Sequence, residues 1–308
     1  MKKGIVIKTT GSNHTVRSDD RHYQCRLKGS FRTRNVKNTN PVAVGDQVTF
    51  EIHDNHTGTI TEIMERRNYI IRKATNLSRE SQIIASNIDQ VLLMFTIDYP
   101  ETPLEFIDRL LVSSEAYHIP AVLLINKTDL YSEEQISRME EIRAIYEFAG
   151  YRVIPVSVTR QENFDIVRAV IRDKLSLISG NSGVGKSSLI NALCPGLNLK
   201  TNEISWYHES GKHTTTYPEM IEIEKDTYLI DSPGIRGFGV TDLEKNEIAL
   251  YFTDIFRISK GCQFYNCTHI HEPKCAVIDA VEKGILHESR YRSYFNIYHD
   301  TSSKYRTG

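Results

Sequence analysis

Residues 1–72 alternate apolar and polar positions over short runs that turn-forming residues separate. A period of two is typical of strands with one buried face. The pattern predicts five strands, at residues 4–9, 14–18, 22–27, 47–53 and 57–64. Five short strands in so few residues favour a small barrel of the OB type, whose face and loops commonly bind nucleic acid.

From residue 89 onward, apolar runs alternate with stretches of helical periodicity. Strands are predicted at 90–96, 121–125, 151–156 and 175–178, followed by 217–224 and 227–230. Helices are predicted between them, at 103–118, 132–148, 163–173 and 186–193. Strands and helices in this order predict a doubly wound parallel sheet. The polar residues 66–82 are predicted to be a connector, and Ser132 with Gln135 to form a capping box.

A glycine-rich turn follows the predicted strand at 175–178 and fits the phosphate-loop pattern G-x-x-x-x-G-K-[ST]. Glycines allow successive backbone N–H groups to point at phosphate oxygens, and the helix start adds partial positive charge. Lys186 is expected at the β- and γ-phosphates, and the Ser187 hydroxyl on Mg²⁺. The residues expected to bind nucleotide here are Gly180, Asn181, Ser182, Gly183, Val184, Gly185, Lys186, Ser187 and Ser188.

The predicted strand at 121–125 ends in the sequence Asn126, Lys127, Thr128, Asp129, an N-K-x-D motif. A carboxylate at Asp129 can accept both the N1–H and the exocyclic amine of guanine, and adenine offers neither at that edge. Ser157 and Val158 match a weaker guanine-supporting element, with Val where Ala is usual. Because this motif precedes the phosphate loop, the predicted GTPase unit is circularly permuted, as surface termini that lie close together allow.

The polar segment 203–216 is predicted to be a switch loop in which Thr214, Thr215 or Thr216 meets Mg²⁺ and the γ-phosphate. A D-x-x-G element follows, with Asp231 expected in the Mg²⁺ shell and Gly234 at the γ-phosphate. The next residue is Ile235, which cannot orient water as a glutamine can. We therefore predict that His213 supplies this catalytic function. The alternative is that His213 only contacts RNA.

Near the C-terminus, four residues are spaced C-x₄-C-x-H-x₅-C, namely Cys262, Cys267, His269 and Cys275. Three thiolates and an imidazole suit a closed tetrahedral Zn²⁺ site, which predicts a structural metal. The alternative is a disulfide, which a reducing compartment disfavours. Helices are predicted at 243–256, 276–283 and 288–299 around this cluster. In the last helix, Arg290, Tyr291, Arg292 and Tyr294 could touch RNA or be solvated.

Charge is unevenly distributed along the chain of net charge −1. Residues 1–40 contain ten Lys/Arg and two Asp, a local charge of +8, which leaves −9 for residues 41–308. A basic N-terminal part predicts a polyanionic partner at that end. Tyr23 and Phe31 could stack on nucleic-acid bases there. Alternatively, Tyr23 could belong to the core and the basic residues could form a solvated face. Apolar runs are too short for a membrane span or a signal peptide, so a cytoplasmic protein is expected.

Taken together, these motifs resemble the RsgA (YjeQ) family of circularly permuted ribosome-assembly GTPases over essentially the whole chain. The resemblance implies a monomer that binds the small (30S) ribosomal subunit and its 16S-type rRNA. It also implies low GTPase activity that the subunit stimulates, conversion of GTP to GDP, and a role in late subunit maturation. Lys212 stands where the family usually has Arg, which preserves the charge.

The expected architecture is multidomain α/β, with an OB-fold RNA-binding barrel at 1–72, a permuted GTPase domain at 73–239 and a helical zinc-binding domain at 240–308. Two other functions compete with a GTPase. One is a binding module with a decayed GTPase, which the intact motifs disfavour. The other is a small-molecule kinase built on the same phosphate loop, which Asp129 disfavours.

Overall fold

The structure is a computed structural model of the 308-residue chain. It describes residues 1–29, 41–54, 56–73, 81–197, 218–231 and 243–299. Within these ranges, no helix has the length and apolar character needed to cross a lipid bilayer.

Five strands close a barrel at the N-terminus. Their bounds are β1 (Lys2–Thr10), β2 (Asn13–Ser18), β3 (Arg21–Leu27), β4 (Gln47–Ile52) and β5 (Thr57–Ile63). The first three form an antiparallel meander. β5 pairs parallel with β3 and antiparallel with β4, and β4 returns to pair with β1. The predicted OB-type barrel is therefore confirmed.

The Tyr23 side chain lies inside this barrel. Tyr23 is only 2% exposed, and its ring centroid lies 5.2 Å from that of Phe50. Tyr23 and Cys25 alternate with exposed neighbours along β3, so the period of two directs both inward. Of the two sequence alternatives for Tyr23, packing in the core is correct and stacking on bases is wrong. Phe31 lies outside the described residues.

The segment 66–82, predicted to be a connector, includes the strand β6 (Tyr69–Lys73), which pairs antiparallel with β7 (Ser81–Ser86) at the end of the segment. Ile70 and Ala85 are buried in the same core cluster as Val91 of the next strand. The sequence analysis predicted neither strand, because residues 66–82 are mostly polar and gave no strand pattern.

A six-stranded sheet carries the rest of the central region. Its strands are β8 (Gln90–Phe95), β9 (Ala121–Ile125), β10 (Arg152–Pro155), β11 (Leu175–Ser179), β12 (Glu219–Glu224) and β13 (Thr227–Asp231). They lie in the order β10-β9-β8-β11-β13-β12, parallel except for β12 at the edge. β12 also pairs with β1 of the barrel, which makes one continuous sheet.

Helices cover both faces of this sheet, namely α1 (Leu104–Ala116), α2 (Glu133–Phe148), α3 (Phe164–Ile171) and α4 (Lys186–Leu193). One core cluster joins α1 and α2 to alternate strand residues such as Leu93 and Leu123. The other joins α3 and α4 to their neighbours Leu92 and Leu124. The predicted doubly wound arrangement is confirmed.

The capping box predicted for α2 is present. The amide of Gln135 donates to Ser132 Oγ at 3.3 Å, and the Ser132 amide donates to Gln135 Oε1 at 2.8 Å. Both bonds satisfy N–H groups that the helix itself leaves without partners. They begin α2 shortly after the Asn126–Asp129 motif.

The C-terminal segment consists of a 3₁₀ helix (Lys245–Tyr251), α5 (Thr253–Ser259), α6 (Ala276–Glu282) and α7 (Glu288–His299). The single helix predicted at 243–256 is wrong, because Phe252 takes an extended conformation between two shorter helices. The Phe252 ring is fully buried and meets the Tyr294 ring edge-on, with 5.6 Å between centroids. Tertiary burial of this ring therefore overrides the helical pattern.

Arg290 on α7 joins the C-terminal segment to the central sheet domain. Its guanidinium bonds Asp254 of α5 through two nitrogens, at 2.8 and 2.9 Å, and also contacts Asp108 of α1. Arg290 is 1% exposed, so both sequence alternatives, contact with RNA and a solvated face, are wrong for this residue. Burial raises the pKa of the Asp108 carboxyl, and the charge of Arg290 opposes that shift.

We predict that Arg290→Met lowers the free energy of unfolding by about 3–5 kcal/mol, because it leaves two buried carboxylates without their cation. Lys283→Met is the control, since Lys283 forms an exposed 2.7 Å pair with Asp279 and such pairs contribute about 1 kcal/mol or less. Urea unfolding of the full chain measures both variants. Equal losses in the two variants would contradict the assignment.

Candidate nucleotide and metal sites

The phosphate loop runs from the end of β11 into α4, and its glycines occupy conformations closed to other residues. The φ angles are 143° at Gly180, 81° at Gly183 and 105° at Gly185. A Cβ added to Gly180 would lie 1.9 Å from the carbonyl oxygen of Met94. A Cβ on Gly185 would lie 2.3 Å from Asn126 Nδ2. The glycines thus let the loop approach the end of β8 and the Asn126 side chain that follows β9.

Lys186 folds back over this loop from the first turn of α4. Its ammonium donates to the carbonyl oxygens of Gly180 and Asn181, at 2.8 and 2.7 Å. Val184 is buried in the core below the loop, whereas Ser187 and Ser188 are partly exposed on the first turn of the helix. The arrangement places a cation and a helix N-terminus at one point, which suits phosphate.

The Asn126 side chain connects its own loop to the phosphate loop and to the loop after β10. Its Nδ2 donates to the carbonyl of Val184 in the phosphate loop at 2.8 Å. Its Oδ1 accepts from the amide of Val158, beyond β10, at 3.3 Å. Asn126 is 2% exposed. A single amide side chain thus joins the ends of β9, β10 and β11.

Asp129 and Ser157 face each other at the other end of this site. Ser157 Oγ donates to Asp129 Oδ1 at 2.7 Å and accepts from the amide of Arg160 at 3.1 Å. Thr128 Oγ1 donates to the carbonyl of Val156 at 3.1 Å, which fixes the 3₁₀ turn that carries Asp129. Because Oδ1 is hydrogen-bonded and the turn is fixed, the orientation of the other carboxylate oxygen, Oδ2, is fixed as well.

Lys127 lies between Asn126 and Asp129 in the motif, and its backbone has a left-handed conformation, with φ of 67°. Its ammonium donates to the carbonyl oxygen of Tyr99, in the loop after β8. Burial lowers the pKa of Lys127, and the nearby Asp129 charge opposes this shift. The Tyr99 carbonyl is a partner that no sequence pattern indicated.

Tyr131 is a further supporting residue that the sequence motifs did not identify. Its hydroxyl donates to the carbonyl of Asn126 at 2.6 Å and accepts from the amide of Ile97 at 2.8 Å. The ring is 8% exposed, and burial raises the pKa of the hydroxyl to about 12. The hydroxyl stays protonated near neutral pH and holds the Asn126 loop against the loop after β8. The sequence signal for this residue is an aromatic residue two positions after Asp129.

Asp231 ends β13 beside the strand that carries the phosphate loop, with Ile178 as its Cα partner in the ladder. Burial raises the pKa of the Asp231 carboxyl, and the charge of Lys186 opposes this. A partly buried carboxylate near a phosphate-binding lysine can hold a cation at the same place.

Five residues expected at this site lie outside the described residues, namely His213, Thr214, Thr215, Thr216 and Gly234. Their roles remain predictions. The other sequence-predicted nucleotide residues lie at the carboxyl ends of neighbouring parallel strands, where doubly wound folds bind ligands.

The second site is a cluster of Cys262, Cys267, His269 and Cys275, whose ligand atoms all lie within 4.8 Å of one another. His269 Nδ1 lies 3.6 Å from Cys262 Sγ and 3.4 Å from Cys275 Sγ, and the two sulfurs are 3.9 Å apart. Tetrahedral Zn²⁺ with the usual bond lengths requires S···S of about 3.8 Å and S···N of about 3.5 Å. The cluster therefore fits one tetrahedral metal ion.

Hydrogen bonds around the cluster hold its ligands in place. Glu272 accepts from the Thr268 amide at 2.7 Å and from the Ile270 amide at 3.1 Å. Burial alone would raise the pKa of Glu272, but hydrogen bonds from the Thr268 hydroxyl and from the backbone amides nearby lower it to about 2. The hydroxyls of Tyr291 and Tyr294 donate to the carbonyls of His269 and Thr268, at 2.8 and 2.6 Å. Two α7 residues that the sequence assigned to RNA or solvent thus support the metal cluster.

Comparisons with known proteins agree with this geometry. The model of the RsgA GTPase family matches residues 63–241, and that of the RsgA N-terminal domain matches residues 3–60. The small ribosomal subunit biogenesis GTPase RsgA 2 of Bacteroides thetaiotaomicron is 48% identical over 306 residues, 99% of each chain. The corresponding RsgA of Phocaeicola vulgatus is 49% identical over the same shares.

Two solved structures share the fold at 31% identity. YjeQ from Thermotoga maritima gives a TM-score of 0.80 and covers 96% of this chain and 97% of its own. YloQ, described as a circularly permuted GTPase, gives 0.76 and covers 97% of this chain and 94% of its own. Sequence, fold and site geometry agree over nearly the whole length, and the chain belongs to the RsgA GTPase family.

Proposed function

We propose that this chain hydrolyses GTP to GDP and phosphate in the biogenesis of the small ribosomal subunit. The observation that carries the proposal is the Asn126 bridge, because it brings a guanine-reading motif and a phosphate loop into one site although their order in the chain is permuted. The names of the two relatives support the biological role.

In this proposal the nucleotide lies along the line from Asp129 to Lys186. Asp129 accepts from the two guanine donors, with Ser157 and Val158 closing the same end. The Lys127 stem covers the base, and Asn126 and Thr128 hold the loops. The phosphates lie against the residues 180–188, where amides, the Lys186 ammonium and the start of α4 meet.

The proposed cofactors are Mg²⁺ with the nucleotide and one structural Zn²⁺. When bound, Mg²⁺ would supply positive charge that offsets the charge of the phosphates. Ser187 and Asp231 would hold it, with one of Thr214–Thr216, and Gly234 would meet the γ-phosphate. The Cys₃His cluster leaves no open ligand position, so Zn²⁺ would act only on folding.

We propose three units, at 1–72, 73–239 and 240–308, in a cytoplasmic monomer. The partner is the small subunit with its 16S-type rRNA, and the basic barrel supplies part of the contact surface. Lys3, Arg21 and Lys28 are exposed on the described part of that barrel. Such residues bind phosphate backbones without base specificity.

Guanine specificity is predicted to depend on Asp129. Asp129→Asn should weaken GTP binding by about 100-fold or more, because the amide cannot accept from both guanine donors. It should admit xanthine nucleotides, whose additional carbonyl accepts from the amide. Asp165→Asn, at an exposed carboxylate on α3, is the matched control. Equal affinities for ATP and GTP in the unmodified chain would favour the small-molecule kinase instead.

The metal cluster is predicted to stabilise residues 243–299. Cys275→Ala should abolish stoichiometric zinc and lower the melting temperature, because metal-binding free energy at such sites is folding free energy. Cys194→Ala removes a thiol outside the cluster and should change neither property. Metal analysis and thermal unfolding test this. Protein purified without chelators that holds no zinc would contradict it.

The ribosomal role is tested by GTP hydrolysis with purified subunits. Small subunits should raise the rate above that of the chain alone, because binding of a partner can complete a catalytic site. Large subunits at the same concentration should leave it unchanged. No response to small subunits would contradict the proposed role while leaving the nucleotide site intact.

The same assay tests His213. His213→Ala should cut subunit-stimulated hydrolysis by about 100-fold, the usual scale for loss of a general base, with GTP and subunit binding preserved. If subunit binding is lost instead, His213 contacts RNA, which is the alternative role.

A further inference from the structure

A row of paired residues crosses from the barrel to the nucleotide site. Lys8 of β1 is the Cα partner of Glu219 on β12, Glu219 is the partner of Asp231 on β13, and Asp231 is the partner of Ile178 on β11. The Lys8 ammonium also bonds Glu219 Oε2 at 2.9 Å. The phosphate loop begins two residues after Ile178. The barrel strand β1 is therefore connected to Asp231, the carboxylate proposed to hold Mg²⁺, through one pair of residues on each of two adjacent strands.

Arg17 of β2 makes a second connection to the same hairpin. Its guanidinium lies 3.2 Å from Glu222 on β12, contacts the Tyr228 hydroxyl on β13, and lies 5.3 Å from the centroid of the Tyr228 ring. One side chain thus holds both strands of the hairpin, and Tyr228 stands three residues before Asp231.

The exposure of Arg17 argues against a solvated surface charge. Its side chain is 16% exposed, whereas that of Asp20, its partner within the barrel, is 93% exposed. A guanidinium that contacts an aromatic ring and a carboxylate together is held in one orientation. The contacts of Arg17 therefore fix the position of the β12–β13 hairpin relative to β2.

The hairpin needs such a restraint because β12 is the edge of the central sheet. On one side it pairs with β13, and on the other its partner is the barrel strand β1. An edge strand presents a row of unpaired N–H and C=O groups on its outer side, and on β12 the barrel strand β1 pairs there, at Lys8 and Glu219. A shift of the hairpin would move Asp231 with it.

We propose that the barrel positions the Mg²⁺-binding carboxylate, and that Arg17 is the positioning residue that acts through Tyr228 and Glu222. The inference rests on the proposed function, since it takes Asp231 as part of the Mg²⁺ shell. It gives the barrel a role at the nucleotide site in addition to its proposed contact with RNA.

The test measures Mg²⁺ binding directly, by titrating MgCl₂ into the full chain saturated with a non-hydrolysable GTP analogue. Arg17→Met should raise the dissociation constant of Mg²⁺ at least about fivefold, the lower end of coupling between linked sites. Tyr228→Phe should shift it in the same direction by less. Arg143→Met removes an exposed 2.8 Å pair with Glu147 on α2 and should have no effect.

Rescue separates positioning from general damage. Arg17→Glu combined with Glu222→Arg recreates the ion pair with its charges exchanged and should restore most of the Mg²⁺ affinity that Arg17→Glu alone loses. Unchanged Mg²⁺ affinity in Arg17→Met, with weaker affinity in Asp231→Asn, would overturn the inference and leave the proposed site standing. Unchanged affinity in Asp231→Asn would overturn the proposed Mg²⁺ role of Asp231, and this inference with it.

Discussion

The nucleotide site depends on the side-chain amide of Asn126, because this group connects the guanine-reading motif to the phosphate loop. The guanine-reading motif and the phosphate loop lie on different strands, and the chain passes through α2, β10 and α3 between them. One buried side chain donates to the carbonyl of Val184 and accepts from the amide of Val158. Buried backbone groups without partners cost about 1–3 kcal/mol each. Keeping both bonds of Asn126 therefore fixes the distance between the guanine-reading motif and the phosphate loop. The close approach also explains why position 185 must be glycine.

Much of this could be predicted from the sequence, because local physical rules determine it. The glycine positions of the phosphate loop, the alternation along β3 and the capping box at Ser132 each follow from neighbours in the chain. The Cys₃His cluster could be predicted from its spacing, because four ligand residues within so short a segment can reach one ion.

The features that the sequence did not predict are long-range contacts. Arg290 lies 182 residues from Asp108, with which it forms a buried ion pair, and no periodicity in α7 distinguishes it from the exposed Arg292. Phe252 breaks a helical pattern because its ring fills a core built by α7. The strands β6 and β7 were missed because the polar composition of residues 66–82 gave no strand pattern. In each case tertiary burial decided between local alternatives.

The two terminal parts of the chain act on the central domain through different contacts. The barrel continues the central sheet beyond β12, whereas the C-terminal segment packs on α1 and α2 through Arg290, Thr253 and Arg257. The barrel contacts reach the end of β13, because Lys8 is the Cα partner of Glu219 and Glu219 is the Cα partner of Asp231.

The affinity of Asn126→Ala for GTP, measured by equilibrium titration, tests the account most directly. The variant leaves the Val158 amide and the Val184 carbonyl without their partner, so the dissociation constant should rise at least about tenfold, with affinity for GDP falling in parallel. Zinc content should not change, since the Cys₃His cluster lies elsewhere. An unaltered dissociation constant would contradict the claim that this amide assembles the site.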